Sequence, residues 1–326
     1  MILFLDSIGV ILQCYLVFIV MFFDLMKGGK VLQGLVTFIQ QFINGLSLGS
    51  VYALMALGYT MVYGIAKMLN FAHGDIIMVG AYTVAVVCST LGMSPAAAIA
   101  ASIIVCTVLG VTIEKIAYKP LRAASPLAVL ITAIGVSFFL QSVALLIFGS
   151  NARKVPSVVA LNSIRVGNID LSGVALIVIG ITVLIMICLS LFINCTRVGK
   201  AMLAVSEDKG AAELMGINVN ATISLTFAIG SALAAVAGVL FVSSYGYVDP
   251  YTGALPGIKA FVAAVLGGIG SIPGAMLGGV ILGIIESLSK AYISTNLSDA
   301  IVFGVLIIVL LVKPTGILGK KKITKV

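Results

Sequence analysis

Residues 70–75 read Asn70-Phe71-Ala72-His73-Gly74-Asp75 and contain the chain's single histidine. An amide, an imidazole and a carboxylate stand together here at the edge of an apolar run. An ionisable group in hydrocarbon costs about 2.5–3.5 kcal/mol on insertion scales, so each one needs a reason. Two readings fit. In the first, the segment is an interfacial loop, with Asn70 capping the next helix and Asp75 favourable at its N-terminus. In the second, Asn70, His73 and Asp75 belong to a broken helix that lines or gates a transport path.

The second chemistry-bearing stretch follows residue 196. It holds Arg197, Lys200, Glu207, Asp208, Lys209 and Glu213, then Leu214-Met215-Gly216-Ile217-Asn218. Alanines at 201, 204, 211 and 212 predict a short helix over 200–215, stopped by Gly216. A small amphipathic helix outside any membrane span suits a docking surface, and a solvated connecting loop is the plainer alternative.

Glycines make the third pattern. Gly270, Gly274 and Gly278 recur every four residues, which predicts one shared helix face. Gly45 with Gly49, and Gly230, Ala234 and Gly238, are spaced the same way. They fit close helix packing, and thin helices could also rock past one another. The remaining polar groups are scattered. Glu286 and Lys290 stand in the i,i+4 order of a surface pair near the outer face. Gln141 and Asn44 read as helix–helix hydrogen bonds. The five cysteines, Cys14, Cys88, Cys106, Cys188 and Cys195, show neither a CxxC nor a Cys/His spacing and read as buried apolar residues.

No GxxxxGK[ST] phosphate loop, HExxH or nucleophile elbow occurs. The chain therefore carries no device of that kind for splitting ATP, and reads as a transport protein rather than an enzyme. Nor do its spans hold the chain of carboxylates expected of proton- or sodium-driven carriers. Power from another subunit is the consistent expectation.

The elements that must hold these residues follow from composition. Of 326 residues, 61% are hydrophobic and 9% charged, and mean hydropathy is +1.25. So little charge cannot cover a water-facing surface, which excludes a soluble enzyme and a disordered chain. Runs such as 95–113 and 174–193 are apolar on every side, unlike the alternation of a membrane β-barrel. The fold class is all-α: a polytopic transmembrane bundle of about 8–10 spans with broken or re-entrant elements and a cytoplasmic coupling helix. Spans are expected near 8–25, 45–65, 74–92, 95–117, 127–148, 172–193, 219–243, 257–269, 272–289 and 299–313. The segments 257–269 and 299–313 are short for a crossing.

The net charge of +8 points to cytoplasmic loops, not to nucleic acid. One side collects Lys67, Lys115, Lys119, Arg122, Arg197, Lys200, Lys209 and the tail lysines at 313, 320, 321, 322 and 325. The other holds Lys27, Lys30, Arg153, Lys154, Arg165, Lys259 and Lys290. The richer side is expected inside, which places both termini in the cytoplasm and requires a cytoplasmic turn at 267–273. Residues 1–30 are either an N-terminal extension with an extra membrane helix or an over-called start. They lack the positive region and cleavage site of a signal peptide. Residues 31–319 form the transmembrane domain, with the charged loop at about 196–218, and 320–326 a basic cytoplasmic tail.

Several strings in order resemble one family. They are GLSLGSVYALMALGYTMVYGI at 45–65, NFAHGDIIMVGAY at 70–82, IEKIAYKPLR at 113–122, AVSEDKGAAELMGIN at 204–218, AVLGGIGSIPGAMLGG at 264–279 and VLLVKPTGILG at 309–319. Together they resemble the LivH-type permeases of branched-chain amino-acid ABC importers. The resemblance implies a bacterial inner-membrane subunit that translocates leucine, isoleucine or valine. Urea, short amides or another amino acid are alternative cargoes, and a stand-alone carrier or channel is a further alternative. It also implies that Glu207, Asp208, Ala211, Gly216, Ile217 and Asn218 match a coupling loop that docks on an ATPase. The implied partners are a LivM-like second permease or a second copy of the chain, two cytoplasmic ATPase subunits, an extracytoplasmic amino-acid-binding protein and the lipid bilayer. The chain itself is expected to bind no cofactor, with ATP and Mg used by the ATPase subunits.

Overall fold

The computed structural model describes residues 30–319 apart from 123, 157, 160, 161, 167 and 168. The expected first span at 8–25 and the tail 320–326 lie outside the described residues.

Eleven α-helices occur among the described residues. The first, α1, runs Lys30–Ala66. It begins well before the expected residue 45. Gln33, Gln40, Gln41 and Asn44 lower local hydropathy, yet glutamine is a good helix former, a single asparagine is tolerated and no proline interrupts. Its 37 residues would span about 55 Å at 1.5 Å per residue, more than a bilayer core needs.

Next come α2 (His73–Ala85), prolonged by a wider π-type turn at Val86–Thr90, and α3 (Pro95–Ile113), prolonged by another at Glu114–Tyr118. Then follow α4 (Pro126–Phe148) and α5 (Gly173–Cys195). Both α3 and α4 start at a Ser-Pro pair. Ser94 and Ser125 accept the Ala97 and Ala128 amides at 3.4 Å, and proline at the first helical position needs no amide partner. Two short helices, α6 (Arg197–Glu207) and α7 (Lys209–Leu214), precede α8 (Val219–Tyr245). The chain finishes with α9 (Ala254–Gly267), α10 (Ile272–Tyr292) and α11 (Ser298–Val312).

Seven of the described helical segments are long and apolar enough to cross a membrane, while α9 and α11 are shorter apolar helices. Small antiparallel pairings decorate the end of the bundle where α4 finishes and α5 begins. They join β1 (Arg153–Lys154) to β4 (Tyr247–Val248), and β2 (Ile164–Val166) to β3 (Ile169–Leu171).

Packing sorts the helices. In the apolar window of α1, 83% of residues are buried inside the protein, against 22% in α4 and α5. Thus α1 is the axis, lying against α10, α8, α9 and α5. The outer faces of α3, α4 and α5 are apolar and uncovered, as lipid contact requires.

Glycines set the closest approach. A methyl group built on Gly45 would fall 2.8 Å from the Ile284 Cα, and one on Gly49 2.7 Å from the Val280 Cα. Gly230 lies against Val62 and Gly58, Gly238 against Ile77 and Ala81, Gly274 against Gly267, and Gly278 against Ala263. Gly270 differs from expectation. It precedes α10 at φ +92°, in the turn between α9 and α10, and shares no helix face with Gly274 and Gly278. Pro273 starts α10 at Ile272 and confines Gly270 to the turn.

A stability prediction follows. Gly49→Val has no room and should lower folding stability by about 1–3 kcal/mol or more. Gly34→Val, with nothing within 4 Å, should leave the thermal midpoint in detergent unchanged. Equal midpoints for the two variants would refute this packing account.

Candidate functional site

The positive-rich loops share one end of the bundle. Lys209 donates from Nζ to the Ala66 carbonyl at 3.1 Å. The Ile317 and Leu318 amides reach the Leu266 and Gly267 carbonyls at 2.9 Å. Arg122 meets Asn220 and the buried Glu114, and Ser224 donates to Glu114 at 2.6 Å. The turn after Gly267, the end of α1, α7 and the segment 316–319 are therefore neighbours, in agreement with the parity of the spans.

At this end α6 and α7 form a hinged pair, not the single helix expected over 200–215. Asp208 leaves the helical region at φ −151°, ψ 117°. Its carboxylate accepts the Ala211 amide at 3.0 Å and caps α7, a local bond that competes with helix continuation. Met202 and Val205 of α6 and Ala212 of α7 are buried and fasten the pair to the bundle. Burial, then the nearby Arg122 charge, pushes the Lys209 ammonium below its ordinary pKa range.

Gly216, at φ +80°, turns the chain out of α7. The Ile217 amide reaches back to the Ala212 carbonyl at 3.0 Å, the closing bond of a Schellman turn. Asn218 then caps α8 by accepting the Ala221 amide at 3.0 Å. This scaffold leaves Leu214 90% and Met215 82% exposed. Glu207, Asp208, Ala211, Gly216 and Asn218 are exposed around them, and Ile217 is half-buried against the core. Two large exposed apolar side chains, with Glu207, Asp208 and Glu213 exposed in the same stretch, form a knob that can dock in an apolar groove on a partner.

The 70–75 segment is not an exposed loop. Asn70, His73 and Asp75 are all buried. Asn70 does not cap α2 with its side chain. It accepts the Tyr118 hydroxyl at 2.8 Å instead, and α2 has no side-chain cap. Asp75, in the first turn of α2, accepts Gln141 Nε2 from α4 at 2.9 Å, so Gln141 does bridge two helices. The His73 ring lies 4.7 Å from the Tyr59 ring and presses on Gly58, where any side chain would overlap it. His73 Nε2 has no hydrogen-bond partner.

Gly58 lies eight residues before the end of α1, about 12 Å along its axis. The chain therefore folds back from Ala66 and starts α2 inside the bundle. There Gly74 packs on Gly253 and Gly257 at the start of the short α9. Two helices thus begin at depth, a broken-helix arrangement tolerated in a membrane only where protein surrounds it.

Sequence reasoning missed a second polar centre. Glu286 is 1% exposed and is no surface pair with Lys290. Its Oε1 accepts Lys259 at 2.8 Å and Lys290 at 2.6 Å, and its Oε2 accepts the Tyr52 hydroxyl at 3.0 Å. Lys259, counted with the outer side near the start of the expected span 257–269, is buried within α9 and also pairs with Asp299 at 2.7 Å. The network joins α1, α9, α10 and α11. Its signal was present: a lysine and a glutamate of opposite charge, each interrupting an apolar helix. Among the described residues no group of three or more His, Cys, Asp or Glu could hold a metal ion.

The profile of the family described as "Branched-chain amino acid transport system / permease component" matches residues 41–310, which takes in every buried centre and the 197–218 helices. The chain belongs to that permease family. It is 47% identical over 301 residues to the high-affinity branched-chain amino acid transport system permease protein BraD of Pseudomonas aeruginosa, covering 89% of this chain and 98% of that protein. The LivH protein of Escherichia coli K12, described in the same words, matches to the same extent. A probable branched-chain amino acid transport permease of Methanocaldococcus jannaschii is 31% identical over 282 residues, 82% of this chain and 88% of that one. The permease is thus a polytopic membrane transport component.

Proposed function

We propose that this permease carries leucine, isoleucine and valine inward across a bacterial cytoplasmic membrane as one membrane subunit of an ABC importer. The observation that carries the reading is the match along 98% of the length of permeases described as high-affinity branched-chain amino acid transporters. A LivM-like second permease or a second copy completes the passage. Two ATPase subunits supply the energy with ATP and Mg, and an extracytoplasmic binding protein delivers the amino acid. Both termini lie in the cytoplasm.

Glu207, Asp208, Ala211, Gly216, Ile217 and Asn218 build the coupling element, whose exposed Leu214–Met215 knob enters a groove on an ATPase subunit. Closure of the ATPases moves α6 and α7, and Lys209 passes that movement to the end of α1. Asn70, His73 and Asp75 hold the two buried helix starts in register, and a change there gates the path.

The test is uptake of labelled leucine, isoleucine and valine in a host deleted for its own systems, supplied with this permease and its companion subunits. ATP- and binding-protein-dependent uptake of all three is expected. Uptake by the permease alone would support a carrier or channel instead, and uptake of urea or amides but not of the three amino acids would reassign the cargo.

A further inference from the structure

A cavity of about 400 Å³ opens between α1, α5, α8 and α10, within the ~300–1,000 Å³ typical of small-molecule sites. Val51, on its wall, lies fifteen residues from Ala66, about 22 Å along α1, so the cavity sits towards the end away from the coupling knob. Its lining combines aliphatic and polar side chains. Leu48, Val51, Val174 and Ala175 give an aliphatic wall.

Three of the hydroxyls on the cavity are already committed as donors. Ser243 donates to the Val239 carbonyl at 2.8 Å, Ser244 to Leu240 at 2.9 Å and Ser287 to Gln41 at 2.8 Å. Their oxygens therefore remain as acceptors. Ser172 makes no cap for α5 and lines the cavity with Ser47 and Asn44.

The cation is Lys290. Its side chain is 38% exposed and lines the cavity while its ammonium bonds Glu286. Glu286 also holds Lys259 and Tyr52, so Lys290 can turn to a ligand without leaving the carboxylate orphaned. Lys259, Lys290, Glu286 and Asp299 sum to zero formal charge. A zwitterion preserves that balance, whereas a simple anion or cation upsets it.

We infer that this cavity is a way-station for a zwitterionic aliphatic amino acid. The ligand carboxylate takes Lys290, its ammonium takes the serine oxygens, and its side chain lies on the wall of Leu48, Val51, Val174 and Ala175. The inference rests on the import reading and deepens it, since it places a specificity site in the permease as well as in the delivering protein.

The experiment measures leucine binding to the assembled transporter in lipid nanodiscs, without binding protein, by equilibrium dialysis. Saturable binding is expected, with 4-methylpentanoate, which lacks the ammonium, and isopentylamine, which lacks the carboxylate, competing at least about tenfold less well. Lys290→Met should weaken leucine binding by about tenfold or more, and Lys290→Arg should retain it. Asn44→Trp, an exposed position that grows into the cavity, should do the same as Lys290→Met without touching the charge network.

Absent saturable binding, equal competition by the two half-analogues, or wild-type affinity in both Lys290→Met and Asn44→Trp would each overturn the site. Leucine uptake by the wild-type system separates the two readings. If uptake is intact while the site fails, the import reading stands; if uptake itself is missing, the import reading falls first.

Discussion

Gly216→Pro is expected to reduce substrate-stimulated ATP hydrolysis by the assembled transporter to its unstimulated rate, with normal membrane insertion. Gly216 sits at φ +80°, and proline is locked near −65°. The Gly216 amide also donates to the Glu213 carbonyl at 3.0 Å, a bond proline cannot make. Both losses fall on the turn that aims Leu214 and Met215 outward and delivers Asn218 to its cap. No apolar span is touched, so insertion should be unaffected.

The control is Gly216→Asn. Space is open around Gly216, and asparagine tolerates a positive φ, so most of the coupling should survive. ATPase assays on reconstituted transporter, with and without loaded binding protein, read the difference. Equal coupling in the proline variant and the wild type would remove the turn from the mechanism.

The second large effect is on stability. Glu286→Ala leaves two ammonium groups and the Tyr52 hydroxyl without their shared acceptor. Removing one partner of a buried ion pair costs about 3–5 kcal/mol, reduced here because Lys290 can reach water. Glu286→Gln keeps an acceptor oxygen for Tyr52 or a lysine and should lie between alanine and wild type. The double change Glu286→Leu with Lys259→Met removes both buried charges and should recover much of the loss. Thermal unfolding of the purified permease in mild detergent measures all of these. A Glu286→Ala protein as stable as wild type, or a double variant worse than either single one, would contradict the network's role.

These two sites differ in how far the sequence exposes them. Most spans are legible, because stretches such as 127–148 and 174–193 are apolar throughout and backbone groups in lipid must bond within a helix. The start of α1 is not, since hydropathy counts Gln33, Gln40, Gln41 and Asn44 as polar although they continue the helix. Depth is also invisible. The sequence leaves Asn70, His73 and Asp75 open to an interfacial loop or a broken helix, and the fold-back onto Gly58 shows them to be enclosed.

Partnership is the third blind point. Lys259 and Glu286 are 27 residues apart and meet only because α9 and α10 pack as a hairpin. The i,i+4 spacing of Glu286 and Lys290 is real, yet it says nothing of which side of the helix is buried. Conversely, Gly216 and Asn218 act through local backbone geometry, so their structural parts, helix stop and helix cap, can be read from residue type. Asp208 was chargeable to the same rule, and its capping bond is what divides α6 from α7.

The most direct measurement is site-specific photocrosslinking from a benzoylphenylalanine placed at Met215 in the assembled transporter. The account predicts a crosslink to an ATPase subunit, lost when Leu214 is changed to aspartate. A crosslink to the extracytoplasmic binding protein, or to lipid alone, would contradict it.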